Sequence, residues 1–302
     1  MFEHFQPIDV DIEDAGIFVR RAGAGPAVLL LHGFPQTHLM WRDIAPLLAD
    51  RFTVICADLR GYGRSACPAS SADHAPYAKR AMASEMVAMM ARLGFTSFMV
   101  AGHDRGGRVA YRMALDHPGR IKKLAVLDIV PTADAWDRAD ARLALGFWPW
   151  SLLAQPEPLP EKILAGAADA IVDNALGGWG SSPDVFPAGT RQAYVEALRD
   201  PAHLHAICEE YRAAATLDRD HDRADKAAGR RIACPVLALW SGQGALAQWY
   251  AGEGGPLALW RNWADDVRGR AISGGHFFPE EAPAQTAGAL IDFFGGLKSD
   301  AG

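Results

Sequence analysis

Apolar residues along this chain come in short unbroken runs, separated by longer stretches where apolar and polar residues alternate with a helical period. The runs fall at 27–31, 52–57, 98–101, 124–127 and 236–240. Each is too short for a typical helix and, Thr53 aside, apolar throughout, as expected of a strand covered on both faces. Ahead of them, 7–12 and 16–22 read as an opening β-hairpin. Helix-like segments near 38–49, 77–93, 106–117 and 281–294 are interspersed with the runs. Such alternation predicts an α/β fold, a mostly parallel sheet with helices on both faces.

The alternation stops at about residue 131 and resumes at Cys234-Pro235-Val236. Between them Trp, Pro and Ala recur with helical spacing and no strand stands out. The expected organisation is therefore a first part of the core over 1–132, a helical cap over 133–231 and a second part of the core over 232–302. The charged stretch Asp218-Arg219-Asp220-His221-Asp222-Arg223 is expected to be a solvated helix face leading back to the core. Residues 251–256, rich in glycine, are expected to form an exposed flexible loop.

Composition narrows the class. A chain of 302 residues fits one large α/β unit with an insertion. Half the residues are hydrophobic and 22% are charged, which suits an ordered globular protein. The net charge of −6 and the absence of a clustered Lys/Arg stripe argue against a nucleic-acid partner. Cys56, Cys67, Cys208 and Cys234 form no CxxC pair and are expected to be reduced thiols. The N-terminus lacks the basic and apolar regions of a secretory signal, and no apolar run is long enough to span a bilayer. A cytoplasmic enzyme without a membrane partner is the expectation.

The chemistry begins at Gly102-His103-Asp104-Arg105-Gly106, between an apolar run and a helical segment. Its form is glycine, any residue, nucleophile, any residue, glycine. A sharp strand-to-helix turn of this kind lifts its central side chain above the sheet and needs small neighbours. The following helix directs its positive end at the site, which favours a carboxylate. The alternative is an aspartate that only caps the helix. As a nucleophile, a carboxylate can attack a saturated carbon directly and form an ester with the protein. Carbon–halogen bonds and epoxides both suit that step.

The turn His32-Gly33-Phe34-Pro35 follows the run 27–31 and resembles the oxyanion loop of α/β-hydrolases. The backbone N–H groups of Phe34 and Arg105 are the expected oxyanion donors, although Phe34 also suits a core aromatic. Among ten histidines, His276 is the expected base, because it lies late in the chain in a glycine-rich loop before the last helix. His32 and His103 flank tight turns and read as structural. His203 and His205 lack the partners of a metal site, so no metal or organic cofactor is expected. The acid is absent from the loop 240–248, where many α/β-hydrolases carry it. Asp128, at the end of the run 124–127, is the expected acid, with Asp58 its rival.

Four segments together carry a more specific resemblance. They are His32-Gly33-Phe34-Pro35-Gln36-Thr37, Gly102-His103-Asp104-Arg105-Gly106-Gly107-Arg108, Leu127-Asp128-Ile129-Val130-Pro131-Thr132 and the stretch 273–280. In these the chain resembles the fluoroacetate and haloacetate dehalogenases of the α/β-hydrolase superfamily, and the similarity runs through nearly its whole length. The resemblance implies an eight-stranded sheet, hydrolytic dehalogenation of a haloacetate to glycolate through an aspartyl ester, and a homodimer. It gives Asp104, Asp128 and His276 the catalytic roles. Arg105 and Arg108 would bind the substrate carboxylate. They start one helix three residues apart, and a guanidinium fork suits a carboxylate. Arg112, one turn on, reads as a solvated residue. Trp150 and Tyr211 would hold the halide. Fluoride-specific members of the family place a histidine just before the cap tryptophan, where this chain has Pro149, with Trp148 as the neighbouring donor. Chloro- and bromoacetate are therefore expected to react faster than fluoroacetate. The alternatives are an epoxide hydrolase with the same nucleophile and a non-catalytic ligand-binding relative.

Overall fold

The computed structural model describes residues 2–12 and 15–296. Its eight strands are β1 (Gln6–Ile12), β2 (Ala15–Ala22), β3 (Ala27–Leu31), β4 (Thr53–Ala57), β5 (Phe98–His103), β6 (Ile121–Leu127), β7 (Val236–Ser241) and β8 (Val267–Ile272). They form one sheet in the order β1-β2-β4-β3-β5-β6-β7-β8. The first two pair antiparallel, β2 joins β4 antiparallel, and every later pairing is parallel.

The apolar runs are central strands because both their faces are covered. Leu29 and Leu31 pack into one core layer while Val28 and Leu30 pack into another. The same division separates Leu124 and Val126 from Ala125 and Leu127. One layer includes the helices Lys79–Arg92 and Asp104–Asp116, and the other the helix Pro283–Gly295.

β8 was not among the apolar runs. It is an edge strand, and its pattern Val267-Arg268-Gly269-Arg270-Ala271-Ile272 leaves most side chains in solvent. Arginines on an edge also discourage another chain from pairing there. Residues 251–256 are not a loop. A 3₁₀ turn, Ala251–Glu253, leads into a helix, Gly255–Arg261, with Pro256 in its first turn, where a missing N–H costs nothing. Exposure was the expected part: residues 251–254 are exposed.

Between β6 and β7 the described residues form helices and turns over 132–227 with no strand. The charged stretch is only half solvated. Asp218, Asp222 and Asp225 are buried, while Asp220 and Arg223 face solvent. The buried aspartates correct the expectation for Arg112 as well. Its side chain is buried and ion-paired with Asp222 at 2.5 Å and with Asp225. Asp222 also accepts from the Tyr111 hydroxyl at 2.8 Å and from the backbone N–H of Ala133 at 3.0 Å. Burial pushes the Asp222 carboxyl up to about 6 despite Arg112. This cluster ties the returning helix to the one that begins at Asp104. Tyr111→Phe removes a donor from a buried carboxylate, so unfolding free energy should fall by about 1–3 kcal/mol. Thermal and urea melts measure that loss.

Candidate active site

β5 passes directly into the helix Asp104–Asp116, and the turn between them is strained. Asp104 has φ +43°, a left-handed conformation for a residue with a side chain. The flanking glycines make the turn possible. A Cβ on Gly102 would stand 2.3 Å from the carbonyl oxygen of Gly106, and one on Gly106 would stand 2.4 Å from that of His32. Gly33 is held to glycine by Asp104 itself, whose Cβ would lie 2.5 Å from an added one.

That close approach brings the oxyanion turn onto the carboxylate. The backbone N–H of Phe34 donates to Asp104 Oδ2 at 3.0 Å, leaving Oδ1 as the freer oxygen. Burial works to raise the Asp104 carboxyl. The charges of His276, Arg105, His103 and Arg108 together outweigh it and hold the group below its ordinary value. Asp104 is therefore an anion in a nearly dry site.

The structure brings His276 and Asp128 together. Their side chains meet at 2.7 Å, Nδ1 to Oδ2, and the other Asp128 oxygen accepts from the Ser241 N–H at 2.8 Å. Asp128 also has a positive φ, +52°. Burial alone would lower His276, but the hydrogen bond and charge of Asp128, with Asp104, raise it above its ordinary 6.5. The Nδ1 contact leaves Nε2 with no partner among the described residues. Asp58 stands elsewhere. It accepts from the His38 backbone N–H and ring at 2.7 and 2.9 Å and from the Arg64 N–H at 2.9 Å, bracing its own turn.

Backbone contacts from the segment 179–181 fix the histidine loop. The His276 N–H donates to the Trp179 carbonyl at 2.9 Å, and a Cβ on Gly275 would stand 2.2 Å from the Gly180 carbonyl carbon. His103 contacts the His276 carbonyl through Nε2 at 2.9 Å, and burial lowers its pKa to about 4. His203 contacts the Gly61 carbonyl and Cys67 Sγ, and His205 contacts Glu161. Among the described residues no cluster of His, Cys, Asp or Glu is placed to hold a metal ion. All four cysteines are unpaired with one another.

Asp104, Asp128 and His276 border one cavity of about 30 Å³, roofed by Phe147, Trp150, Trp179 and Tyr211. Since a single water needs about 10–15 Å³ by this measure, it admits a molecule of only a few heavy atoms. Arg108 stands in its wall. Nη1 donates to the Val130 carbonyl and to Thr132 Oγ1, both at 3.1 Å, and Nε has no partner. No carboxylate pairs with Arg108 among the described residues. Burial, then the like charge of Arg105, lowers its pKa.

Arg105 is placed differently. Glu210 receives its Nε at 2.8–2.9 Å and its Nη2 at 2.5 Å, and the buried Lys79 shares the same carboxylate. Only Nη1 is left without a partner. The Tyr211 ring lies over the guanidinium at 4.0 Å. Glu210 was not legible as a partner, although it stands beside Tyr211 in sequence. Trp150 and Tyr211 are buried, and neither the indole N–H nor the hydroxyl has a partner among the described residues. Trp148, next to Pro149, does not serve the cavity. Its N–H donates outward to Asn174 at 2.7 Å, and it is absent from the cavity wall.

The model of the alpha/beta hydrolase fold family matches residues 26–282. A fluoroacetate dehalogenase from Burkholderia sp is 42% identical over 300 residues, 99% of this chain and 97% of that protein. A soluble epoxide hydrolase from Corynebacterium sp. is 31% identical over 92% of this chain and 93% of its own length. Among solved structures, ALR0039 from Nostoc sp PCC 7120 superposes with a TM-score of 0.93, at 45% identity over 98% of this chain and 100% of that one.

Proposed function

Because the chain belongs to the α/β-hydrolase fold family and its full-length likeness to a fluoroacetate dehalogenase makes it a hydrolase of carbon–halogen bonds, we propose that it converts a haloacetate and water to glycolate and halide. The observation that carries this reading is Arg108, a buried cation with no carboxylate partner among the described residues, in the wall of the cavity that holds Asp104. A small anion carrying its own leaving group suits such a cavity in size and in charge.

The reaction has two steps. Asp104 Oδ1 attacks the α-carbon in line with the halogen, forming a C–O bond as the C–X bond breaks. The halide leaves with the bonding electrons toward the indole N–H of Trp150 and the hydroxyl of Tyr211. Arg108, with Arg105 Nη1, holds the substrate carboxylate. Then His276 Nε2 removes a proton from water, and the hydroxide adds to the carboxyl carbon of Asp104. Negative charge develops on Oδ2, where the Phe34 N–H already lies, with the Arg105 N–H as second donor. On collapse the glycolate oxygen leaves and takes the proton from His276, and Asp104, left with the proton of the added hydroxide, loses it to solvent and is again a carboxylate.

Single turnover in heavy-oxygen water tests the covalent route. The glycolate hydroxyl should first carry ordinary oxygen from Asp104; immediate full label would reject the ester. Halide release from chloroacetate against diol formation from styrene oxide separates this reading from an epoxide hydrolase, which the Corynebacterium relative keeps in view.

Two further outcomes are expected. Fluoride forms strong hydrogen bonds as it departs, and a bond to a charged group contributes roughly 1.5–3 kcal/mol. With Pro149 supplying none and Trp148 turned outward, fluoroacetate should react about ten- to a hundredfold more slowly than chloroacetate. Equal rates in a halide-release panel would contradict this. The decay of the ester should fall away as pH drops, because only the neutral imidazole accepts a proton. Asp128 holds His276 above 6.5. Esterification of Asp104 removes one charge that helps to do so, so the midpoint for ester decay should lie below that of the resting protein. Rapid-quench decay rates across pH, beside the imidazole titration followed by NMR, measure both. We carry the homodimer and the cytoplasmic location as parts of the same proposal; mass in solution and cell fractionation test them.

A further inference from the structure

A second hollow also reaches the histidine. It measures about 180 Å³ and is separate from the substrate cavity. Exposed Gly146, Gly178, Gly180 and Gln243 form its mouth, and the buried pair Asp128 and His276 lies at its floor. Phe147 and Trp179 line both hollows. Their ring centres are 5.4 Å apart, and each is 5.5 Å from the imidazole. The two rings therefore stand as the partition between the hollows, beside the histidine whose Nε2 has no partner among the described residues.

The ester-forming reaction gives this arrangement a purpose. Once the acyl group sits on Asp104, it fills a cavity of about 30 Å³ whose remaining wall is mostly aromatic and aliphatic. Water for the second step has little room on that side. The second hollow has room for several waters and would present them with polar groups at its floor. One of its glycines is informative. Gly178 ends the helix Ala168–Gly178 with an ordinary φ, and a Cβ there would meet nothing closer than 3.5 Å. Neither backbone nor packing requires glycine at this position, and a larger residue would favour the helix. What its absent side chain does is keep the mouth open.

We propose that this glycine-rimmed hollow is the entry for hydrolytic water, which reaches Nε2 of His276 when the edge-to-face contact between Phe147 and Trp179 opens. The proposal rests on the haloacetate reading, since it needs the Asp104 ester. Gly178→Leu and Ala245→Leu, at two separate positions on the rim, should narrow the entry without touching a reacting group. On chloroacetate, the first equivalent of halide should appear at the rate of the unaltered protein. Decay of the ester should slow tenfold or more, so that ester accumulates in the intact mass during turnover. Unchanged ester decay in both variants overturns the proposal, as does equal slowing of the two steps. If the unaltered protein itself releases no halide burst, the haloacetate reading fails first, and the two failures are distinguishable.

Discussion

Changing His276 to asparagine is expected to stop turnover after one equivalent of halide per active site. Asp104 needs no base for its attack, because it is already ionised. The first step loses only the help of a nearby positive charge. The second step loses its proton acceptor, and general-base assistance is worth about 10²- to 10⁴-fold. Asparagine is smaller but keeps an N–H donor near the Nδ1 position toward Asp128, and the backbone contact with Trp179 that holds the loop is unaltered. Rapid-mixing measurement of halide should show a burst followed by near silence. Intact-mass spectrometry should show one added carboxymethyl group, and peptide mapping should place it on Asp104. Sustained turnover, or the added group on another residue, would sink the two-step scheme.

The second large effect concerns which arginine recognises the anion. The two stand three residues apart, yet they are not equivalent. Arg105 is bound on two nitrogens by Glu210, and Lys79 and Asp218 extend that cluster, so its charge is largely balanced within the protein. Among the described residues Arg108 has neutral acceptors only, and it lines the cavity. Truncating one member of a buried, hydrogen-bonded charge pair costs about 2–5 kcal/mol. Arg108→Met should therefore lower kcat/KM for chloroacetate by about 30- to 5,000-fold. Its melting temperature should hold, because no carboxylate is abandoned and repulsion from Arg105 is relieved. Arg105→Met should lower the melting temperature by stranding part of Glu210's contacts. Chloroacetamide, which has no charge to recognise, should lose far less with Arg108→Met. An equal loss on the amide would mean that Arg108 shapes the site rather than binding the anion.

The central strands were legible because burial on both faces leaves no polar position, as in 27–31. The edge strand β8 was hidden for the opposite reason: its arginines face solvent, and only pairing with β7 makes it a strand. The turn at Asp104 and the pairing of Asp128 with His276 followed from chain order, since strand-to-loop junctions gather at one end of a parallel sheet. The buried aspartates at 222 and 225 could not be told from a solvated run, because composition is silent on which side of a helix meets a cation. Glu210 was hidden similarly. Its partners lie 105 and 131 residues away in sequence, and no local pattern marks such a meeting. Nothing in the local sequence singles out Phe147 or Trp179, and their place between two hollows exists only in three dimensions.

The close approach of Gly275 to Gly180 has a consequence for anyone recombining this protein with its relatives. The loop that carries the histidine belongs to the second core segment, but the wall behind it is the backbone of the insertion. A crossover that imports a foreign insertion imports a foreign wall; a side chain at Gly275 would collide with it and push the histidine off Asp128, and one at Gly180 would strain a backbone held at φ +86°. Segments 178–182 and 273–277 are thus one inherited unit, although some ninety residues of chain lie between them. Libraries that exchange them together should yield working chimaeras, and libraries that cut between them should yield folded proteins that stall after the first step.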